Sequence, residues 1–376
     1  MLTILTLNIL LMIVYLSHWD WNLYKSRKDI VSNLNKINFK AICPEGAYSE
    51  ELRLIYHDHI DWKINRKKTF DLKGVINLKK ILNSLEEGSV VHSFTLKTGI
   101  LYSIANLFGS NNIKGVLSIN GLGYLFSNNF KAKFLKLLLR TFIKSSFNKS
   151  FKEIIFQNEN DKEIFLSFSN YVGKSSLIKG SGIEINNYVK KELYQTKNLK
   201  VIFVSRLLID KGVNEYIELT KNILEPNINF YLAGEIDEGN PNSITEKDLN
   251  NIKNENNIKY IGPINVEKEL FNYDISIILS KYEGFSRILL ESLYVGLFCI
   301  SNNIPGTKWL KLFNNGLLVE NNNLNDISQV INNFSEYDFS KANAEINRDL
   351  IKKKYSTKII SDQYNEIYNN LENSSK

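Results

Sequence analysis

The chain has 376 residues, of which 43% are apolar and 12% aromatic, and its formal net charge is +7. This length and apolar content suffice for two packed cores and exclude a disordered chain or a small disulfide scaffold. Only two cysteines occur, Cys43 and Cys299, and both lie in apolar strand-like runs, which predicts buried free thiols in a reducing compartment. The positive charge favours an anionic partner, and nucleic acid, acidic lipid and a phosphorylated substrate all fit it.

Residues 1–16 are almost entirely apolar, but they fall short of the roughly 20 residues that span a bilayer. No basic segment precedes them and no small-residue cleavage site follows, so the sequence predicts neither a transmembrane helix nor a signal peptide. Three alternatives stay open: a cleaved signal, contact of residues 1–11 with a membrane, and translation from Met12 instead of Met1.

From Met12 onward, short apolar runs alternate with helical stretches, which predicts a parallel sheet covered by helices. The strands predicted in the first half are 12–16, 39–43, 54–57, 90–93, 115–119, 153–157 and 176–179. The helices predicted between them are 23–34, 78–85, 98–108 and 130–147. Together these elements predict an N-terminal Rossmann-like domain over residues 1–182.

The second half repeats this alternation after a polar, lysine-rich stretch, 183–198, which is predicted to be a linker. Its predicted strands are 199–204, 228–233, 258–261, 275–279, 297–301 and 316–319. Apolar residues at helical spacing over 357–371 predict a last helix. The sequence therefore predicts an α/β protein with a second Rossmann-like domain over 199–355 and a C-terminal helix over 356–376.

Two glutamates frame the turn and helix that follow the predicted strand 275–279. Glu283 lies in a glycine-containing turn and Glu291 about two helical turns later, so both carboxylates can face one site. That site lies at the carboxyl end of a strand, where open α/β sheets bind ligands. Backbone amides at a helix start also attract anions. A solvated acidic turn before an amphipathic helix is the simpler alternative.

A second candidate site follows the predicted strand 199–204. Arg206 lies at the strand end and Lys211 at the start of the next helix, so two cations converge there. The planar fork of arginine and the point charge of lysine suit a nucleotide diphosphate, and both would offset its charge as it departs. Taken alone, the two residues could simply cap a helix surface.

These two segments resemble retaining glycosyltransferases of family 4. Residues 283–291 are similar to the Glu-x7-Glu signature of that family, and residues 206–211 to its Arg-x4-Lys diphosphate clamp. The resemblance implies the GT-B fold, in which two Rossmann-like domains face each other across a cleft. In that fold the C-terminal helix crosses back to the N-terminal domain.

The resemblance also implies roles for individual residues. Glu283 is implied to hold hydroxyls of the donor sugar and Glu291 the ribose of the nucleotide, while Arg206 and Lys211 meet the diphosphate. The other donor-binding residues that it implies are Gly284, Phe285 and Ile288 beside Glu283, and Gly262 and Pro263 at the base. A reaction of this kind needs no side-chain nucleophile, because the departing phosphate oxygen can take the acceptor proton.

Two strand ends of the first half resemble the branch of family 4 that extends polyprenyl-diphosphate-linked oligosaccharides. Residues 118–124 are similar to its Gly-Leu-Gly loop, and residues 92–99 to its His-x-Phe-Thr-x-Lys segment. The candidate acceptor-binding residues are Asn120, Gly121, Gly123 and His92, with Arg27 from the basic run 25–28. Asn120 stands where many family 4 enzymes have histidine, so no side-chain base is predicted there. A purely structural His92 is an equal alternative.

No metal or other cofactor is predicted. His57 and His59 are two residues apart, so on a strand they could face the same side and bind a metal. The chain, however, contains no Asp-x-Asp pair. The metal-dependent mode of sugar transfer therefore lacks its ligands, and the cations and helix dipoles are left to meet the diphosphate.

A basic amphipathic helix is predicted over residues 130–149. Its charged stripe consists of Lys133, Lys136, Arg140 and Lys144, opposite an apolar face. One interpretation is a solvated lysine face on a helix packed in the core. The other is a patch that lies on anionic lipid, where each basic residue contributes about 1 kcal/mol.

The combined expectation is a retaining glycosyltransferase that moves a hexose or N-acetylhexosamine from a nucleotide diphosphate sugar, with UDP favoured. The expected acceptor is a saccharide on undecaprenyl diphosphate, in capsule, O-antigen or glycan synthesis, at the inner face of the cytoplasmic membrane. The alternatives are a soluble or other lipid acceptor, and a non-catalytic transferase-like binding protein. Nucleic acid is not predicted, because the lysines are dispersed and no nucleic-acid motif occurs.

Overall fold

The structure is a computed structural model of the chain. It describes residues 12–34, 37–68, 70–107, 109, 112–123, 130–192, 194, 197–223, 225–255, 257–337 and 339–373. The chain forms two compact units, one of Met1–Ser181 with Ile360–Lys376 and one of Gly182–Ile359. No helix of the described part is long and apolar enough to cross a membrane. Residues 1–11, for which the sequence left membrane contact open, lie outside the described residues.

The first unit is built around a parallel sheet of seven strands among the residues described. They are β1 (Met12–Leu16), β2 (Asn38–Cys43), β3 (Asp58–Asp61), β4 (Val90–Phe94), β5 (Lys114–Ile119), β6 (Phe151–Phe156) and β7 (Lys174–Leu177). The sheet has the order β3-β2-β1-β4-β5-β6-β7. Its helices are α1 (Asp20–Asn33), α2 (Ser49–Ile55), α3 (Leu72–Asn83), α4 (Leu96–Leu107), α5 (Phe130–Ser150) and α6 (Glu159–Ser169).

This sheet is buried on both faces. Ile13 and Val14 of β1 are adjacent in the sequence and belong to two different apolar clusters, because successive strand residues point to opposite faces. One of these clusters includes Tyr364 and Tyr368 of the last helix of the chain. The predicted return of the C-terminal helix to the N-terminal domain is therefore confirmed.

The second unit repeats the architecture with a six-stranded parallel sheet in its described residues. Its strands are β8 (Leu199–Val204), β9 (Ile228–Ala233), β10 (Lys259–Gly262), β11 (Ile275–Ile278), β12 (Phe298–Asn302) and β13 (Gly316–Val319), in the order β10-β9-β8-β11-β12-β13. The helices that follow are α7 (Val213–Asn222), α8 (Glu246–Lys253), α9 (Val266–Glu269), α10 (Arg287–Val295), α11 (Leu324–Asn332), α12 (Lys341–Tyr355) and α13 (Thr357–Asn373). The last of these, α13, contains Tyr364 and Tyr368, which pack against the sheet of the first unit.

One predicted strand is wrong. Residues 54–57 do not form a strand: residues up to Ile55 belong to α2, and the third strand of the sheet is β3, at its edge. Leu54, which made the segment look apolar, is 87% exposed on α2. β3 carries a mostly polar sequence and is only half-buried, so it lacks the apolar pattern by which strands are recognised.

The predicted linker is ordered along most of its length. In the stretch 183–192, the side chains of Ile183, Tyr188 and Lys191 are all buried, although the sequence shows no periodicity there. Lys191 Nζ lies 2.9 Å from Asp274 Oδ1 in a buried ion pair. This stretch therefore packs as part of the second unit.

Candidate functional site

The strand order of the second unit reverses between β8 and β11, and open α/β sheets bind ligands beyond the carboxyl ends of strands at such a switch point. Arg206 follows β8 by two residues, and Ser280 and Glu283 follow β11. Lys211 ends the short 3-10 turn Ile209–Lys211 before α7. The structure thus brings the predicted catalytic residues together at the carboxyl-terminal edge of the second sheet, beyond the ends of β8 and β11.

Lys211 and Glu283 form an ion pair at this edge. Lys211 Nζ lies 2.7 Å from Glu283 Oε1, and Ser280 Oγ donates a hydrogen bond of 2.8 Å to the same oxygen. The two charged side chains are 21% and 16% exposed. A ligand that brings an anion for Lys211 and hydroxyl donors for Glu283 can replace the pair without leaving either charge unpaired.

Glycines set the close approach of the loops that carry this pair. Gly212 has φ of +88°, and a Cβ there would lie 2.5 Å from the Leu279 carbonyl oxygen at the end of β11. A Cβ on Gly306 would lie 2.2 Å from the backbone oxygen of Glu283. Any larger residue at either position would push apart the loops that present Lys211 and Glu283.

Arg206 is paired with an aspartate that the sequence analysis did not identify. Arg206 Nη1 lies 2.6 Å from Asp237 Oδ2, and Asn240 Nδ2 donates to the same oxygen at 3.1 Å. Asp237 is buried, whereas the Arg206 side chain is 34% exposed. Asp237 lies in the loop after β9, and its spacing from Arg206 carries no motif that could have revealed it.

Glu291 lies on α10 and is buried, with two donors on one carboxylate oxygen. Tyr188 Oη donates to Glu291 Oε1 at 2.7 Å, and Arg287 Nε donates to the same oxygen at 2.8 Å. Burial is the main cause that raises the pKa of the Tyr188 hydroxyl, and the negative charge of Glu291 raises it further. The hydroxyl therefore stays protonated and donates its hydrogen to Glu291. The contact with Arg287 has the helical i, i+4 spacing, but Tyr188 is 103 residues away in the sequence.

The other predicted donor-binding residues occupy different environments. Gly284 is buried, Phe285 is buried with its ring stacked on Trp309 at 4.7 Å, and Ile288 is half-buried against the same cluster. Gly262 has φ of +72° with open space where a Cβ would be, and Pro263 is exposed. These last two residues are at the end of β10, the edge strand two positions from β8. Their role in binding the base stays a prediction.

In the first unit the strand order reverses between β1 and β4. Beyond the ends of these strands lie His18, Thr95 and Thr98, which contact one another. His18 Nδ1 lies 2.9 Å from Thr98 Oγ1 and 3.4 Å from Thr95 Oγ1. The sequence analysis did not identify His18 as a candidate, because it stands alone after β1 without a recognisable motif.

Thr95 has a strained backbone. Its φ is +80°, a conformation that is a genuine outlier for a β-branched residue and costs about 1–3 kcal/mol. The same residue lies between β4 and α4, where its Oγ1 accepts a hydrogen bond of 3.4 Å from the Thr98 amide. In this conformation the Thr95 hydroxyl lies 3.4 Å from His18 Nδ1 and 3.1 Å from Thr98 Oγ1.

Two predicted acceptor-binding residues, Arg27 and His92, are buried at 1% and 0% exposure. His92 Nδ1 contacts Tyr368 Oη at 2.7 Å and Nε2 contacts Ser118 Oγ at 2.8 Å. Burial, with Arg27 nearby, lowers the pKa of His92 well below its usual value. Since both ring nitrogens are occupied, the structure favours the structural alternative for His92 over direct contact with a ligand.

Arg27 lies beneath the glycine loop that follows β5. Its Nη2 donates to Asn120 Oδ1 at 3.2 Å, and its guanidinium carbon lies 4.3 Å from the centre of the Phe94 ring. No carboxylate of the described residues forms an ion pair with it. Gly121 and Gly123 of the loop have positive φ, and space is open beside Gly123. Arg27 therefore contacts this loop through Asn120.

The basic stripe predicted for residues 130–149 lies on α5. Arg140 is exposed, whereas Lys136 and Lys144 are half-buried and Lys136 Nζ lies 5.6 Å from the centre of the Phe168 ring. Ile143, which at 100° per residue lies beside Lys136 on the helix surface, is fully buried. The side chain of Lys133 lies outside the described residues. The basic stripe of this part of α5 therefore borders the buried face of the helix instead of lying opposite it.

His57 and His59, which alternate in the sequence, do not share a cluster of ligands. His59 Nε2 lies 3.3 Å from Cys43 Sγ, and the His57 ring accepts from the Phe39 amide. Within the described ranges, no three histidine, cysteine, aspartate or glutamate side chains group as metal ligands.

Two Rossmann-like units with parallel sheets define the GT-B architecture of glycosyltransferases. The structure of Anabaena Alr3699/HepE in complex with UDP and glucose has this fold, with a TM-score of 0.73 at 16% identity over 94% of this chain and 98% of that chain. Within the second unit, residues 184–356 match the family Glycosyl transferases group 1. These residues are therefore similar to a group 1 glycosyltransferase domain.

Two relatives extend this likeness beyond the matched domain. The chain is 22% identical to the capsular polysaccharide biosynthesis glycosyltransferase CapM of Staphylococcus aureus, over 80% of this chain and 81% of CapM. It is 28% identical to the UDP-Gal:alpha-D-GlcNAc-diphosphoundecaprenol alpha-1,3-galactosyltransferase of Escherichia coli, over 70% of this chain and 69% of that enzyme. Both relatives are glycosyltransferases.

Proposed function

We propose that this protein is a retaining glycosyltransferase of family 4 that moves a hexose or N-acetylhexosamine from a nucleoside diphosphate sugar to a saccharide on undecaprenyl diphosphate. The Lys211–Glu283 pair, with Arg206 at the same sheet edge, is the observation that carries this proposal. The E. coli relative is named for a UDP-sugar donor and a diphosphoundecaprenol acceptor, which supports both substrate classes. UDP is the nucleotide that we favour.

In the proposed donor complex, the ion pairs of this site exchange partners. The diphosphate takes Arg206 and Lys211, and Glu283 is released to accept hydrogen bonds from the sugar hydroxyls. The charge that a metal would offset is met by the two cations and by the amides at the start of α10. We therefore propose that transfer does not require a divalent metal.

The proposed reaction occurs on one face of the sugar. The bond between the anomeric carbon and the diphosphate oxygen breaks, and a bond from the anomeric carbon to the acceptor oxygen forms on the same side. The acceptor hydroxyl proton passes to the departing phosphate oxygen. Arg206 and Lys211 stabilise the charge that develops on that diphosphate.

We place the acceptor in the first unit, beyond the ends of β1, β4 and β5. His18, Thr95 and Thr98 offer hydrogen bonds to a neutral saccharide, and the loop with Asn120, Gly121 and Gly123 allows close approach. The buried charge of Arg27 reaches this loop through Asn120. A polyprenyl carrier would hold the enzyme at the inner face of the cytoplasmic membrane, where its products serve capsule, O-antigen or glycan assembly.

The donor site is tested by calorimetry with UDP, GDP and their sugars, in EDTA and with magnesium. We expect a UDP species to bind in EDTA, and the best-bound sugar then enters transfer assays with polyprenyl-diphosphate saccharides. If the enzyme transferred the sugar only to soluble acceptors, the proposed lipid-linked acceptor would be wrong and a soluble acceptor would take its place in the proposal. Binding without turnover on any acceptor would support the non-catalytic alternative, and absence of nucleotide binding would overturn the enzyme proposal.

Membrane association is tested on α5. Replacement of Lys136, Arg140 and Lys144 by glutamine should weaken binding to anionic vesicles, because each basic residue near the surface contributes about 1 kcal/mol. Lys221→Gln, Lys247→Gln and Lys253→Gln on the second unit form a control with the same loss of charge. Equal sedimentation of both triple variants with vesicles would remove the membrane role of α5.

A further inference from the structure

The ribose carboxylate that we propose, Glu291, is held by a residue outside its own helix. Tyr188 Oη donates to Glu291 Oε1 at 2.7 Å, and both residues are buried. Tyr188 lies outside the two segments, 206–211 and 283–291, on which the predicted donor site rests. It belongs to the stretch that leads into the second unit, where sequence reasoning expected only a linker.

The backbone around Tyr188 is anchored on both sides. The amide of Val189 donates to the Glu267 carbonyl and the amide of Lys191 to the Val295 carbonyl, each at 2.9 Å. Upstream, Ile183 pairs with the Ser356 segment as an isolated parallel bridge. The hydroxyl of Tyr188 is therefore delivered to Glu291 from a rigid backbone.

The ring of Tyr188 is fixed as well. It packs edge-on against Tyr294 of α10, with ring centres 5.8 Å apart and an interplanar angle of 73°. Tyr294 lies one helical turn beyond Glu291, so α10 supplies both the carboxylate and a surface for the ring that binds it. The anchored backbone and the packed ring therefore fix the orientation of the Tyr188 hydroxyl toward Glu291.

Tyr188 and Arg287 donate to the same oxygen of Glu291 from two different elements. Two donors from independent elements fix the plane of a carboxylate better than one, because rotation about the side chain would break at least one bond. Arg287 shares α10 with Glu291, whereas Tyr188 ties the carboxylate to another part of the unit.

We propose that Tyr188 is a positioning residue that orients the Glu291 carboxylate toward the ribose hydroxyls of the donor nucleotide. This inference rests on the proposed function, in which Glu291 binds ribose. The ligand class that it concerns is the ribonucleoside diphosphate, and its effect is discrimination of the ribose from a sugar without hydroxyls.

The test compares the affinity of UDP with that of 2′,3′-dideoxy-UDP, and of GDP with its dideoxy analogue, by calorimetry. The wild type should favour the ribonucleotide by about tenfold or more, as expected for hydrogen bonds to a carboxylate. Tyr188→Phe removes one oxygen and should reduce this ratio at least about threefold by weakening only ribonucleotide binding. Unchanged affinity for the dideoxy analogue shows that the site is still folded.

Tyr355→Phe is the matched control, since Tyr355 is a buried tyrosine of the same apolar cluster, and it should keep the wild-type ratio. A wild-type ratio in Tyr188→Phe would overturn the positioning role while leaving the donor site intact. Equal binding of both nucleotides by the wild type would overturn the ribose role of Glu291 and this inference with it. Absence of all nucleotide binding would overturn the proposed function itself, and the inference would fall with it.

Discussion

The two sheets of this protein have the same design at their switch points but different chemistry. The edge of the second sheet carries charged residues paired with one another, Arg206 with Asp237 and Lys211 with Glu283. The edge of the first sheet carries His18, Thr95 and Thr98, which hydrogen-bond to one another. Paired charges can exchange their partners for an ionic ligand, whereas hydroxyl groups such as those of the two threonines suit an uncharged one.

The two edges also differ in how their charges are buried. In the second unit, Lys211 and Arg206 keep 21% and 34% of their side chains exposed, so they are accessible to a ligand. In the first unit, Arg27 and His92 have exposures of 1% and 0%. Residues with similar chemistry are therefore accessible to a ligand in one unit and internal to the fold in the other. Four predictions test this comparison.

The largest effect is expected at the charged edge. Glu283→Ala removes the group that we expect to hold the donor sugar, so transfer should fall about 100- to 1,000-fold, as for loss of a group that stabilises a transition state. UDP should still bind, because its contacts lie with Arg206, Lys211 and Glu291. Steady-state transfer and calorimetry measure the two effects. Glu336→Ala, an exposed glutamate of the same unit, is the control, and similar rates of both variants would remove Glu283 from the site.

Arg206→Ala should weaken nucleotide binding by about 10- to 100-fold, the range for a lost hydrogen bond to a charged group. The variant should also unfold more readily, since buried Asp237 loses its cation. Calorimetry and thermal unfolding measure the two effects. Lys221→Ala breaks an exposed ion pair with Glu255 on the same unit and should change neither quantity much. If UDP binds Arg206→Ala as tightly as the wild type, the arginine does not contact the diphosphate.

His92 should make stability depend on pH. Its pKa in the folded protein lies well below the value of about 6.5 expected when unfolded. As the pH falls below about 6.5, the unfolded state binds a proton that the folded state does not, so the free energy of unfolding should drop by about 1.4 kcal/mol per pH unit. Above that pH the contribution is constant.

The test compares urea unfolding between pH 7 and pH 5 in the wild type and in His92→Gln. The variant should be less stable at pH 7, because Tyr368 and Ser118 lose a partner, yet its stability should fall less steeply with acid. An identical slope in both proteins would show that His92 binds its proton equally in the folded and unfolded states, and it would weaken the contrast between the two edges.

The smallest effect concerns the strain of Thr95. Thr95→Gly relieves the positive φ and loses the hydroxyl, two effects of opposite sign, so stability should change by less than about 1 kcal/mol. Thr95→Val keeps the strain and loses the hydroxyl, so it should destabilise by about 1 kcal/mol or more. Thermal unfolding ranks the two variants, and a glycine variant less stable than the valine variant would show that the backbone is unstrained.

Much of this architecture could be predicted from the sequence. Runs such as 199–204 and 275–279 are apolar and β-branched because parallel strands are buried on both faces, and their alternation with helices predicts the layered fold. The prediction of a strand at 54–57 was wrong for the complementary reason, because an edge strand need not be apolar. β3 lies at the sheet edge with a polar sequence, and Leu54 next to it lies exposed on a helix.

What the sequence determined by itself was local: the strand ends that carry Arg206 and Glu283, and the helix that separates Glu283 from Glu291. Spacing along one loop or one helix fixes which residues emerge from the same strand end. Partners from distant segments were decided only by the tertiary structure. Tyr188 reaches Glu291 across 103 residues, and His18 meets Thr98 across 80. The tertiary structure also decided which side chains are buried. The burial of Arg27 and His92 depends on α13, which returns to the first unit from the end of the chain.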